Sequence, residues 1–338
     1  MDKKVNDINY NKITYLQFVL SLMVIMIHTY NVDVYHIGGT VFACFEKEIS
    51  CISKIAVPTF FAISGFLFFK NYKISETLKK WKRRLFSIVV PLILWNYLSY
   101  AYFLILSRIP IVSNNINSEI KPLNISSFLL AGFSIEYNKV AWYLVNLIVY
   151  ILFAPLLYFI LKNKYIGVAV VLGIPFIGCL ISNNYLIQSM YFMFGAYIGM
   201  HFNKFAYKKS SCKISLIALS LFFALSQVLF LVKGNTTNYF CNFILLLMIP
   251  SLWIAFDCFD YEKPPKWWMT ISFFIYMIHS FILESIEKII LLMLGESLLG
   301  SILDYFVAPI ITLLIIVLLA YYLKKLCKPV WNLLTGSR

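Results

Sequence analysis

The sequence predicts an all-α, polytopic bundle of transmembrane helices, and three observations carry that expectation. Across 338 residues, 61% are hydrophobic and only 13% charged, and the mean hydropathy of +0.80 lies well outside the range of a soluble domain. Apolar runs of membrane-spanning length recur from end to end. The basic residues gather between alternate runs, as the positive-inside rule requires.

The first run, residues 13–31, shows the logic. Its eighteen positions from Ile13 to Tyr30 would span about 27 Å as a helix, close to the hydrocarbon thickness. It is longer than a signal-peptide core and has no small-residue cleavage site, so it is expected to stay as an anchor. Further spans are expected at 50–69, 85–107, 140–161, 165–182, 186–202, 214–232, 239–257, 270–293 and 302–323, ten in all. They form a single domain over 1–338, with no separate soluble core. With a cytosolic N-terminus, 22 of the 29 basic residues fall in inner segments, among them Lys3, Lys4, Lys12, Lys204, Lys208, Lys209 and Arg338. Both termini are therefore expected in the cytosol, and the net charge of +14 reads as topology and anionic-lipid contact, not as a nucleic-acid surface.

The longest outer connection, 108–139, is rich in Asn and Ser and holds Pro110 and Pro122. The seven cysteines make no CxxC pair and no metal-ligand spacing, so no metal is expected. A disulfide between Cys44 and Cys51 on the outer side is left open.

Polar side chains inside the runs mark the candidate site. Thr14, Gln17, Ser21 and His28 share one helical face, with Gln17 and His28 three turns, or about 16 Å, apart. An ionisable group at that depth makes His28 the first functional candidate. Ser64 lies in a segment kinked by Pro58 and thinned by Gly65, where helix packing is the plain alternative. The run Lys70 to Arg84 reads as a loop, except that Arg83 and Arg84 stand where the next span enters the membrane and are placed to grip phosphates. Ser272, Tyr276 and His279 form a second polar stripe. Glu284, about 21 Å up that helix, matches the 22 Å depth of His28 and is a candidate to orient its ring.

These stretches resemble the acyltransferase-3 family of integral membrane acyltransferases. That family carries an arginine, ten intervening residues and a histidine in its first helix; here Gln17 and His28 keep the spacing. Pro58 to Phe66 is similar to its PxFFxxSGF segment, and Lys82-Arg83-Arg84 with Pro91 to its basic run entering a proline-bearing helix. Trp142-Tyr143-Leu144 is similar to its aromatic pair, and Ser272 to His279 to its SFxIYLIH stretch.

The resemblance implies a membrane O-acyltransferase in a bacterial plasma membrane, with cytosolic acyl-coenzyme A, acetyl being the expected group, as co-substrate. His28 and Glu284 would be catalytic. Gln17, Ser64, Arg83 and Arg84 would hold the coenzyme, and Trp142, Tyr143, Tyr276 and His279 the substrate, a hydroxyl of a surface glycan or another envelope molecule. Gln17 departs from the family pattern, since an amide cannot pair with phosphate as a charge. It leaves open a non-catalytic exporter or carrier of a polysaccharide or small polar solute on the same fold.

Overall fold

The computed structural model describes residues 9–108, 120–202, 212–230, 235–259, 261 and 263–337. Lys3, Lys4, Pro110, Lys204, Lys208, Lys209, Lys233 and Arg338 lie outside them. Among the described residues the chain is helical without strands, as every backbone polar group in hydrocarbon must be satisfied locally. In chain order the helices are α1 (Tyr10–His28), α2 (Val41–Ser53), α3 (Ala56–Phe69), α4 (Thr77–Arg84), α5 (Val90–Leu106), α6 (Ile125–Phe133), α7 (Trp142–Leu152), α8 (Ala154–Leu161), α9 (Lys164–Leu180), α10 (Asn184–His201), α11 (Cys212–Phe230), α12 (Asn235–Ala255), α13 (Ser272–Leu294), α14 (Leu298–Leu326) and α15 (Lys328–Thr335). Helix occupies all ten apolar runs. Among the described residues five helical stretches are long and apolar enough to cross a membrane, or six if a bent pair is one span.

Breaks fall where proline or a polar residue interrupts the backbone ladder. Pro155, at the start of α8, withholds an amide, and α7 meets α8 at a 63° bend. Pro91 does the same at the start of α5, and the chain before it widens into a π turn at Leu85–Val89. The expected span at 50–69 divides into α2 and α3 at Lys54 and Ile55, so α2 extends back to Val41.

Only the start of the basic run, residues 70–73, is a loop. Residues Thr77–Arg84 form an amphipathic helix, α4, held against the bundle by the Trp81 indole, which donates to the Ile151 carbonyl (2.9 Å). Lys80 donates to the Phe68 carbonyl (2.6 Å). Lys12, counted with the inner loops, is buried on α1 instead, paired with Asp257 at 2.7 Å and set over the Trp253 ring. Cys44 and Cys51, two turns apart on α2, are free thiols, as about 10 Å of helix rise is too long for a disulfide.

The core centres on α3 and α10, which meet backbone to backbone. A Cβ on Gly65 would strike the Phe192 carbonyl, and one on Gly195 the Ala62 carbonyl. Small residues permit this approach, which replaces the hydrophobic drive that lipid cannot supply. Around this seam pack Phe61, Phe69, Tyr150 and Phe192, all buried. The result fixes Ser64, one residue before Gly65, in the interior.

Candidate active site

The polar face of α1 turns toward the start of α13. Ser21 is buried and donates its hydroxyl to the Gln17 carbonyl (2.9 Å), with the Ser272 carbonyl 3.5 Å away. Beside this contact lies a cavity of about 400 Å³. It is lined by Thr14 and Gln17 from α1, Ser64 from α3, Arg84 from the end of α4, Tyr143 from α7 and Tyr276 from α13. Four stretches far apart in sequence thus converge with α1 on one chamber of small-molecule size, whose remaining wall is apolar, with Phe60, Ile63 and Leu147 among its residues.

Each lining group is set by its local structure. The π turn follows directly after Arg84, which lines the cavity with its guanidinium 6.0 Å from the Phe68 ring, whereas Arg83 is exposed. Ser64 and Tyr143 share a hydrogen bond of 3.0 Å. Tyr143 packs on Phe61 at 4.5 Å between ring centroids and on Tyr276 at 5.6 Å. Tyr276 donates its hydroxyl to the Val140 carbonyl. The two tyrosines therefore form a tethered aromatic layer at the cavity wall.

The histidines lie outside the cavity lining. His279, one turn after Tyr276, has its ring 6.2 Å from the tyrosine and is fully buried. His28, exposed in the last turn of α1, stands 5.1 Å from His279 between ring centroids, tilted by 54°. Neither imidazole lines the cavity.

Trp142 is exposed and packs at 6.2 Å from Phe61, away from the cavity lining. Glu284 is exposed on α13, and the cations that act on it are Lys288 and Lys139. Among the described residues no ion pair joins it to His28. The neighbour that the structure gives His28 is the His279 ring.

A second polar group, not expected from the sequence, closes the end of the bundle near His28. Asn31 donates to Asp304 (2.9 Å) and accepts from Ser301 (2.8 Å), while Glu46 takes the Asn31 amide (3.2 Å) and the Ser301 hydroxyl (3.2 Å). All four side chains are buried. Tyr35 lies beside them in the connection to α2, and burial first, then the Asp304 carboxylate, pushes its phenol pKa up. Asp304, a lone acid inside an apolar stretch, was the available signal; Glu46, beside Lys47 and Glu48, was not. Asn138, buried next to the Val140 segment with both side-chain polar atoms unpaired among the described residues, gave no such signal.

A family model described as an acyltransferase domain matches residues 10–321, which takes in every residue of the cavity and both histidines. The chain belongs to the acyltransferase-3 family. No curated protein and no solved structure gives a significant match. Family membership and the apolar helices make this a membrane protein of the acyltransferase class. Within an acyltransferase-3 chain, the cavity joins the Gln17, Ser64, Arg84, Tyr143 and Tyr276 positions, and leaves Arg83, Trp142 and Glu284 outside its lining.

Proposed function

We propose that the protein moves an acyl group, acetyl in the first instance, from cytosolic acyl-coenzyme A to a hydroxyl of a glycan or other envelope molecule on the far side of a bacterial plasma membrane. One observation carries this reading: Gln17, Ser64, Arg84, Tyr143 and Tyr276 meet in one cavity at the end of the bundle that bears the basic helix α4. Arg84 is placed to pair with phosphate as a planar cation, with Arg83 adding charge from outside. The thioester then extends along the wall toward Tyr143 and Tyr276, and reaching His28, which stands outside the lining, takes a rearrangement at that end of the chamber.

At His28 the imidazole takes the proton of the acceptor hydroxyl as its oxygen bonds to the thioester carbonyl carbon. The carbon–sulfur bond breaks, and coenzyme A leaves as the thiol with that proton. The ester product forms at the exposed His28 end of α1, and coenzyme A withdraws through the chamber.

Gln17 favours a carrier, because it removes a charge from the coenzyme site. The match to an acyltransferase domain, with His28 kept at the family's spacing from Gln17, speaks against it. Reconstituted protein supplied with labelled acetyl-coenzyme A and a panel of oligosaccharides separates the two. Label on the oligosaccharide supports transfer. Movement of unlabelled oligosaccharide across the vesicle without acylation supports the carrier.

A further inference from the structure

His279 is held in a way that its burial alone does not explain. Its Nδ1 lies 2.8 Å from the Tyr276 carbonyl and 3.2 Å from that of Ile275. A carbonyl only accepts, so Nδ1 carries the proton. Charging the ring would bury a second, unpaired N–H together with a charge, so Nε2 is left as a lone pair. That atom is buried and makes no hydrogen bond among the described residues. A buried acceptor left unpaired is costly and calls for a reason.

The ring beside it is His28, 5.1 Å away between centroids. Each ring nitrogen lies about 1.2 Å from its centroid, so turning the His28 ring until two nitrogens face would bring them to about 2.7 Å, a hydrogen-bond separation. The nearby Tyr276 hydroxyl is already spent on Val140. Glu284 is exposed on α13, and among the described residues no ion pair joins it to His28.

We infer that His279 is the positioning residue for His28: its Nε2 accepts an N–H of His28 and so leaves the other nitrogen of His28 to face the acceptor hydroxyl. This rests on the reading of His28 as the base. His279 neither gains nor loses a proton. When His28 takes the hydroxyl proton, its cationic N–H donates to the His279 lone pair and strengthens that bond. A neutral acceptor anchored by backbone carbonyls thus does, inside an apolar bundle, what a carboxylate does in a wetter site. No buried negative charge is needed.

The test uses the full chain, labelled with nitrogen-15 at histidine, in lipid bilayers. Nitrogen spectra of the wild type should show His279 protonated at Nδ1 only, with a through-hydrogen-bond coupling between its Nε2 and a nitrogen of His28. A protonated Nε2, or no coupling to His28, overturns the inference without any variant. Release of coenzyme A from acetyl-coenzyme A gives the second readout. His279→Ala should lower kcat by 10- to 100-fold with KM for acetyl-coenzyme A unchanged, and His279→Gln, whose amide oxygen also accepts, should restore part of it. Wild-type kcat in His279→Ala, while His28→Ala is inactive, would overturn the role of His279 alone. Full activity in His28→Ala would overturn the reading of the base itself.

Discussion

Arg83 and Arg84 are neighbours in sequence, yet only Arg84 lines the chamber. Replacing each in turn by alanine therefore separates a phosphate ligand from a general cationic surface. A hydrogen bond to a charged partner is worth about 1.5–3 kcal/mol. At tenfold per 1.4 kcal/mol, Arg84→Ala should weaken acetyl-coenzyme A binding by roughly 10- to 150-fold. Arg83 is exposed, where an ion pair contributes about 0.2–1 kcal/mol, so Arg83→Ala should cost no more than roughly fivefold. Its effect should also fade as salt is raised, since exposed charges are screened within about 10 Å at 0.1 M. Filter binding of labelled acetyl-coenzyme A to detergent-purified protein at two salt concentrations gives both numbers. Arg84→Lys keeps the charge but not the planar fork, and should fall between wild type and alanine. Equal losses for Arg83→Ala and Arg84→Ala, or none for Arg84→Ala, would refute the assignment of the phosphates to this rim.

Three further outcomes follow from the packing. Gly195→Ala forces α3 and α10 apart at the Ala62 carbonyl, and should lower the thermal midpoint in detergent by the equivalent of about 1–3 kcal/mol; an unchanged midpoint would mean that the seam is looser than its geometry. Lys12→Met leaves Asp257 without its 2.7 Å partner and should cost about 3–5 kcal/mol, whereas Lys12→Met with Asp257→Leu should recover most of it; calorimetry of the two variants checks the order. Gln17→Arg adds a cation to the chamber that holds Arg84 and should tighten acetyl-coenzyme A binding about tenfold, so weaker binding would contradict the place given to Gln17.

Helix was legible at each apolar run because length and hydropathy are local properties. The bend at α7 and α8 was also readable in principle, from Pro155. The division of 50–69 was not, because only Ser53 and Lys54 interrupt the apolar run between Ile52 and Ile55, and neither is a helix breaker like proline. The shared face of Thr14, Gln17 and Ser21 turned inward as the helical period requires, since water-seeking groups avoid lipid.

Pairings across the bundle were the hidden part. Depth alone suggested Glu284 beside His28, but five residues along a helix turn it by about 140° from His279. With His279 against His28, Glu284 had to point elsewhere, and it does. Consecutive Arg83 and Arg84 could not be told apart without the π turn that follows them. The Asn31, Glu46, Ser301 and Asp304 network joins positions up to 273 apart, a distance that no local pattern reports.

Single-turnover transfer of label from bound acetyl-coenzyme A to an oligosaccharide, compared between wild type and His28→Ala in the same vesicles, addresses the catalytic claim most directly. General-base catalysis contributes about 10²- to 10⁴-fold, so His28→Ala should bind the donor normally and lose at least a hundredfold in transfer. Transfer at the wild-type rate by His28→Ala would contradict the account.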